Sequence, residues 1–232
     1  MSRLTVKNIA RGNIKALLLL IVTVIGLASC KSTNEIVPVG KPANLNVVNA
    51  DTAALNIYQN GARLNNISSI ASGSQTGYMV VSFGTNIYQL KKAGATDYLI
   101  NNYKLTLDTT VFYTLFIAGE TPDKLFLAND GLPPDSTKTA EIRFVNASPS
   151  ATNLDVRIGN VNFLNQAFKA IGSFKYIAGG TTAISIYQAN TTNLLFSATT
   201  TLTAGGAYTL YTQGVPGGTG LNKLSAALTI NN

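Results

Sequence analysis

Ala140 to Asn160 reads AEIRFVNASPSATNLDVRIGN, and Ala43 to Gly61, 97 residues earlier, reads ANLNVVNADTAALNIYQNG. The run Ile142-Arg143-Phe144-Val145-Asn146-Ala147 alternates apolar with polar residues and is rich in β-branched and aromatic types, the pattern of a half-buried strand. Ser148-Pro149-Ser150-Ala151 breaks it, because proline fixes φ and has no N–H to donate. Leu154-Asp155-Val156-Arg157-Ile158 is a second alternating run, closed by the turn dipeptide Gly159-Asn160. The earlier copy has the same parts: Leu45-Val47 and Leu55-Ile57 as apolar positions, Ala50-Asp51-Thr52 as the break, Asn60-Gly61 as the turn.

The match continues downstream. Ile87-Tyr88-Gln89 aligns with Ile186-Tyr187-Gln188, Leu107 and Tyr113-Thr114-Leu115-Phe116 with Leu202 and Tyr208-Thr209-Leu210-Tyr211, Gly119 with Gly214, and Lys124-Leu125 with Lys223-Leu224. Solenoid units repeat every ~20–50 residues. A repeat nearly twice that long implies two complete domains.

A strand ending in V-N-A-S-P, then L-D-V, a Gly turn and a late A-G-x-x-Y-T-L resembles the bacterial family known as domain of unknown function 4397. The second half carries the resemblance in Val145-Asn146-Ala147-Ser148-Pro149, Leu154-Asp155-Val156 and Ala204-Gly205-Gly206-Ala207-Tyr208-Thr209-Leu210. The first half departs from it, with Asp51 and Thr52 for Ser-Pro and Asp108-Thr109-Thr110 for Ala-Gly-Gly. The resemblance implies immunoglobulin-like sandwiches in secreted or envelope proteins and brings no catalytic residues.

Residues 1–15 hold Arg3, Lys7, Arg11 and Lys15 and no acid, and Ala16 to Leu27 is apolar apart from Thr23 and Gly26. A basic start followed by an apolar run of ~7–15 residues is a secretory signal, and the run is shorter than the ~20 residues that span a bilayer. Leu27-Ala28-Ser29-Cys30 resembles a lipobox, with Cys30, the one cysteine of the chain, as the lipidated residue. Lys31 rather than Asp after it implies, by resemblance to Gram-negative sorting, the outer membrane, at the cell surface or on the periplasmic face. The expected organisation is a signal over 1–29, a lipidated cysteine and tether over 30–42, an all-β sandwich domain over 43–130, a Pro-Pro linker over 131–139 that restricts relative orientation, and a second antiparallel sandwich over 140–232. Each domain reads as seven strands: near 43–49, 54–59, 76–83, 85–91, 98–107, 111–118 and 123–128, then near 140–147, 153–158, 172–177, 182–189, 194–202, 207–213 and 223–230.

The net charge of +7 mostly reflects the signal. Without the four basic residues before Cys30, 13 basic face 10 acidic residues, a net of +3, which is no footprint for nucleic acid. Lys91-Lys92 reads as a solvated hairpin tip. The chain has no histidine, which removes Ser-His-Asp and Cys-His catalysis and His-based zinc sites. No metal ligand set, cofactor motif or catalytic residue stands out. Asp97, Asp108, Asp123, Asp130 and Asp135 fall near turns, where aspartate bonds local backbone; Asp130 and Asp135 offer at most a weak Ca²⁺ pattern. Tyr113 and Tyr208 each open a late strand after a turn, as in the tyrosine corner, whose phenol bonds backbone across the turn.

These features favour a lipid-anchored envelope protein with a non-enzymatic binding, adhesion or structural role, its partner a protein or glycan. The loops Asn60–Gly77, Asn160–Gly172 and Thr212–Leu221 are the expected contact surfaces. Carbohydrate capture, the alternative, requires exposed Tyr or Phe clustered on one face. A carboxylate-based hydrolase, the remote alternative, requires two acids converging in a pocket, one with a raised pKa.

Overall fold

The computed structural model describes residues 42–131, 139–149 and 152–231. The first half supplies β1 (Ala43–Asn49), β2 (Leu55–Gln59), β3 (Ala62–Arg63), β4 (Met79–Val81), β5 (Gly84–Lys92), β6 (Ile100–Leu107), β7 (Phe112–Ile117) and β8 (Leu125–Asn129). The second supplies β9 (Thr139–Asn146), β10 (Leu154–Ile158), β11 (Val161–Gln166), β12 (Lys175–Ala178), β13 (Gly180–Gln188), β14 (Leu194–Leu202), β15 (Ala207–Gln213) and β16 (Ser225–Asn231). Each half is an immunoglobulin-like sandwich of two four-stranded sheets, ordered β4-β1-β7-β8 over β3-β2-β5-β6 and β12-β9-β15-β16 over β11-β10-β13-β14. In both, the first strand runs parallel to the seventh, β1 to β7 and β9 to β15, and the other pairings are antiparallel.

Two differences from the sequence reading concern strands. Each half has eight among the described residues, because β3 and β11 lie inside stretches read as loops. Thr139, read as linker, is the first residue of β9 and pairs with Ala178. The signal, Leu27-Ala28-Ser29-Cys30, most of the tether and Asp135 lie outside the described residues.

The hairpins explain why the added strands form. Asn60 and Gly61 both have positive φ (50° and 83°) between the paired Gln59 and Ala62, as a type I′ turn requires. In the second half the dipeptide is reversed: Gly159 has positive φ (54°), the first position of a type II′ turn, and Ile158 pairs with Val161.

Three cores hold residues 43–231 together. Leu45, Leu55, Ile57, Leu90, Leu107 and Leu115 anchor the first sandwich, and Ile142, Phe144, Leu154, Val156, Ile186 and Leu210 the second. The third core lies between the halves, where Val48, Phe116, Phe126 and Ala128 meet Val145, Ala147 and Tyr211. The sheets β4-β1-β7-β8 and β12-β9-β15-β16 therefore pack face to face, giving four β layers with the two inner sheets covered on both sides. This overturns the half-buried reading of residues 142–147. Every one of them is buried, Arg143 included. Their polar side faces the other half of the chain instead of water. The outer strands do alternate: β10 is buried at Leu154, Val156 and Ile158 and open between.

The V-N-A motif is a staple. Asn146 Oδ1 accepts from the Ser148 N–H (3.0 Å) and the Thr212 hydroxyl (3.0 Å), while Nδ2 donates to Gln166 O (3.0 Å). Asn49 does the same work in the first half, accepting from Asp51 N–H and donating to Ala53 O and Ile70 O. Both side chains are fully buried, so Asn146→Ala or Asn49→Ala orphans several buried groups at about 1–3 kcal/mol each. Urea unfolding of each variant should show the loss as a lowered midpoint with unchanged slope.

Candidate functional site

A groove of about 480 Å³ is made by residues 64–79 of the first half, most of them in the loop Asn60–Gly77 expected to carry contacts. Its shape is set by backbone bonds to the neighbouring strands. Leu55 and Ile70 exchange both N–H···O bonds (2.9 and 2.8 Å); Gly73 N–H donates to Asn49 O, and Asn49 N–H to Ser74 O. Val47 N–H reaches the Thr76 hydroxyl at 2.9 Å. Asn65, itself buried, accepts from Ile57 N–H (2.8 Å) and donates to Asn56 Oδ1 and Ser68 O. The loop is thus strapped to β1 and β2, with the lining side chains displayed on a fixed frame. Those side chains include Asn66, Ser69, Gln75 and Met79, with no charge and no aromatic ring among the lining residues. Ile67, 98% exposed, belongs to the same wall.

A second groove of about 460 Å³ lies between Ser72 of the first half and Phe196, Gln213 and Leu221 of the second. A third, about 440 Å³, opens at the end of the seam between Asp51, Glu120 and Lys124 on one side and Pro149, Gly214 and Asn222 on the other. The loop Thr212–Leu221 contributes to both. The loop Asn160–Gly172 contributes to none of the three: its first part is β11, and Phe168 packs edge-on against Phe126 at 6.0 Å.

The third groove holds two acids. Burial raises the Asp51 carboxyl above the usual carboxylate range, the nearby Glu120 charge adds to this, and the Thr52 N–H opposes it. Glu120 is paired with Lys92 at 2.6 Å, so Lys92 is not a free hairpin tip. Its neighbour Lys91 stands 4.3 Å above the Tyr98 ring.

Asp130 is not a turn aspartate. It is fully buried and accepts from Thr114 (2.5 Å) and Tyr78 (2.7 Å) while ion-pairing with the buried Arg143 across the seam. Arg143 Nε donates to the Thr209 hydroxyl (2.8 Å), which donates to Asn231 Oδ1 (2.6 Å), and Asn231 Nδ2 returns to the Tyr78 phenol (3.1 Å). Those contacts form a closed ring of satisfied bonds in which both Asp130 oxygens accept. Among the described residues no three acids, cysteines or histidines gather as a metal site. The one sequence hint of the ring was an arginine between the apolar Ile142 and Phe144.

The Tyr113 phenol accepts from Asp108 N–H at 3.2 Å and the Tyr208 phenol from Thr203 N–H at 3.0 Å, each across the turn five residues upstream.

A family profile described as Domain of unknown function (DUF4397) matches residues 43–157 and 140–225. The chain belongs to this family. Within this DUF4397 chain the two matches overlap over residues 140–157, a range that takes in most of β9 and of β10. No curated protein matches it in sequence. Among solved structures it is similar to a family 26 carbohydrate-binding module from Eubacterium rectale, crystallised with maltoheptaose (10% identity, 80% of this chain and 96% of that chain, TM-score 0.28). It is also similar to a Bacteroides eggerthii protein named as a "putative cell adhesion protein" (9% identity, 83% of this chain and 96% of that one, TM-score 0.23). At these scores neither overlay bears on function.

The DUF4397 halves keep several phenols from water. Burial pushes Tyr88 and Tyr211 up to about 12 from an ordinary 10. Tyr78 rises further, through burial and then the Asp130 charge. A raised phenol pKa adds stability that is complete below pH 10 and is lost as pH climbs toward 12, by about 1.4 kcal/mol per pH unit for each such group. Stability should therefore be insensitive to tyrosine up to about pH 9.5 and fall steeply above pH 10. A 295 nm titration should show the late phenols ionising together with unfolding.

Proposed function

We propose that this chain is a non-enzymatic recognition protein of the bacterial envelope, held at the outer membrane by lipid on Cys30, which binds an uncharged segment of a protein partner in the groove of residues 64–79. The observation that carries the reading is the groove itself, a loop fixed by backbone bonds before any ligand arrives. Preorganisation of this kind lowers the ordering penalty of binding. Its amide, hydroxyl and aliphatic lining matches a peptide backbone with small apolar side chains. A sugar ring gains most from an aromatic platform, which this lining does not provide.

The test places a photo-crosslinking amino acid at Ile67 in whole cells, with the exposed Asp97 as control position. A discrete protein adduct from Ile67, absent from Asp97 and reduced by Gln75→Ala, supports the reading. No adduct, or a protease-resistant glycan adduct, overturns it. Protease treatment of intact cells, followed through a C-terminal epitope, separates surface display from the periplasmic face.

One observation favours a second reading, the carboxylate hydrolase: Asp51 and Glu120 share a groove, and burial raises the Asp51 carboxyl above the usual carboxylate range. Against it, Asp51 accepts from its own turn and Glu120 is neutralised by Lys92. Turnover of chromogenic glycosides or esters that disappears in Asp51→Asn would favour it.

A further inference from the structure

The outer sheets of the two halves have equivalent edges, β6 and β14. The bonded threonine pairs Thr85–Thr106 (2.7 Å) and Thr181–Thr201 (3.3 Å) fix the correspondence. Lys104 of β6 lies opposite Ile87, and Thr199 of β14 opposite Ala183, so Thr199 stands where the first half has lysine. Proteins blunt open sheet edges with charge, lysine above all, because an unguarded edge templates another strand. The first half has this guard and the second lacks it.

β14 is nine residues long, the longest edge strand among those described, and no described strand pairs with its outer side. Ser197, Ala198, Thr199 and Thr201 are exposed along it, and Leu194 is 50% exposed at its start. Residues 176–222, which contain it, hold no Lys, Arg, Asp or Glu.

We propose that β14 is a self-pairing edge: two copies of the chain join their β14 strands antiparallel about a two-fold axis, extending β11-β10-β13-β14 into an eight-stranded sheet. The charge pattern selects a second copy over an unrelated strand. In a two-fold contact each residue meets the same surface from which it projects, so a charge near the axis faces its own sign. β14 and its flanks contain no charge of either sign. Thr, Ser and Ala along the strand meet their own kind, and Thr–Thr and Thr–Ser pairs are favourable across strands. The pairing leaves the groove of residues 64–79 uninvolved.

The experiment expresses the full chain in cells with single cysteines at Ser197, Ala198 and Thr199 in turn, the positions around the middle of β14, and applies a mild oxidant. The parent, whose one cysteine is Cys30, sets the background, and Asn102→Cys on β6, which keeps Lys104, is the edge control. A disulfide-linked dimer from at least one β14 position, and not from Asn102→Cys, supports the proposal. Adding Thr199→Lys to Ala198→Cys should return the dimer to background. Because β6 carries lysine at the equivalent place, that substitution should leave the purified protein folded, with an unchanged circular-dichroism spectrum. Absence of dimer from all three positions, a dimer that survives Thr199→Lys in folded protein, or an adduct with a different protein overturns it.

Discussion

Asp130→Asn should destabilise the chain by about 3–5 kcal/mol, as expected when one partner of a buried ion pair is removed. Asp130 and Arg143 side chains are 0% and 3% exposed, so water cannot take over from the lost charge. The amide also cannot repair the bonding. Thr114 and Tyr78 both donate to one carboxylate oxygen and Arg143 to the other, and either orientation of an amide turns its NH₂ toward a donor. For a body of this size the loss corresponds to a fall in melting temperature of roughly 6–20 °C. The double variant Asp130→Asn, Arg143→Met should recover much of it, since an apolar side chain of similar volume leaves no buried charge behind. The coupling energy from this double-mutant cycle is the decisive quantity. A value near zero would mean that the pair is solvated and the seam open.

Phe116→Ala should cost about 3–5 kcal/mol and also change the form of the unfolding transition. Phe116 stacks on Phe126 (5.2 Å, 15° between planes) and meets Tyr211 edge-on at 5.8 Å, in the core that joins the halves. Its neighbour Leu115 points the opposite way, into the core of the first sandwich. Leu115→Ala should destabilise by about 2–5 kcal/mol and leave one cooperative transition. Phe116→Ala weakens the coupling between halves, so calorimetry should show the two sandwiches melting separately, with the van't Hoff enthalpy falling below the calorimetric one. One cooperative transition in both variants would show that Phe116 does not carry the coupling between the halves.

The strands were legible because alternation and turn dipeptides report local conformation. β14 and β15 begin and end within a residue of expectation. What the polar side of an alternating strand faces is a different matter. Arg143 reads as a solvent position of a half-buried strand, yet it is buried in the seam together with Asn46, Thr114 and Thr209. Alternation distinguishes two faces and says nothing of whether the polar one meets water or another polar face.

The repeat also misled at one register. Ile87-Tyr88-Gln89 and Ile186-Tyr187-Gln188 look equivalent, but Ile57 pairs with Leu90 and Val156 with Ile186, so Leu90 corresponds to Ile186 and Lys91 to Tyr187. Tyr88 is therefore core while Tyr187 faces outward, since an odd shift along a strand exchanges its faces. The outward positions conserve an interaction rather than residues: Lys91 over Tyr58 at 5.6 Å in one half, Arg157 over Tyr187 at 5.0 Å in the other. The groove of residues 64–79 was legible as a loop, but its rigidity was not, because the bonds that fix it run to backbone of β1 and β2.

The parallel pairing of β1 with β7 has a mechanical consequence. A pull transmitted through the residues before Ala43 acts along β1, which is held to β7 through six consecutive register pairs, Asn44 with Phe112 to Asn49 with Ile117. Such a force loads that ladder in shear, so its hydrogen bonds resist together. A strand peeled from its end would lose them one at a time. The far end of β1 is also tied to the groove through Asn49 and Ser74. Under the attachment and capture proposed above, traction would run through a single sheared strand, and rupture force measured by pulling at the amino-terminal side should exceed that of the same domain unzipped from β8.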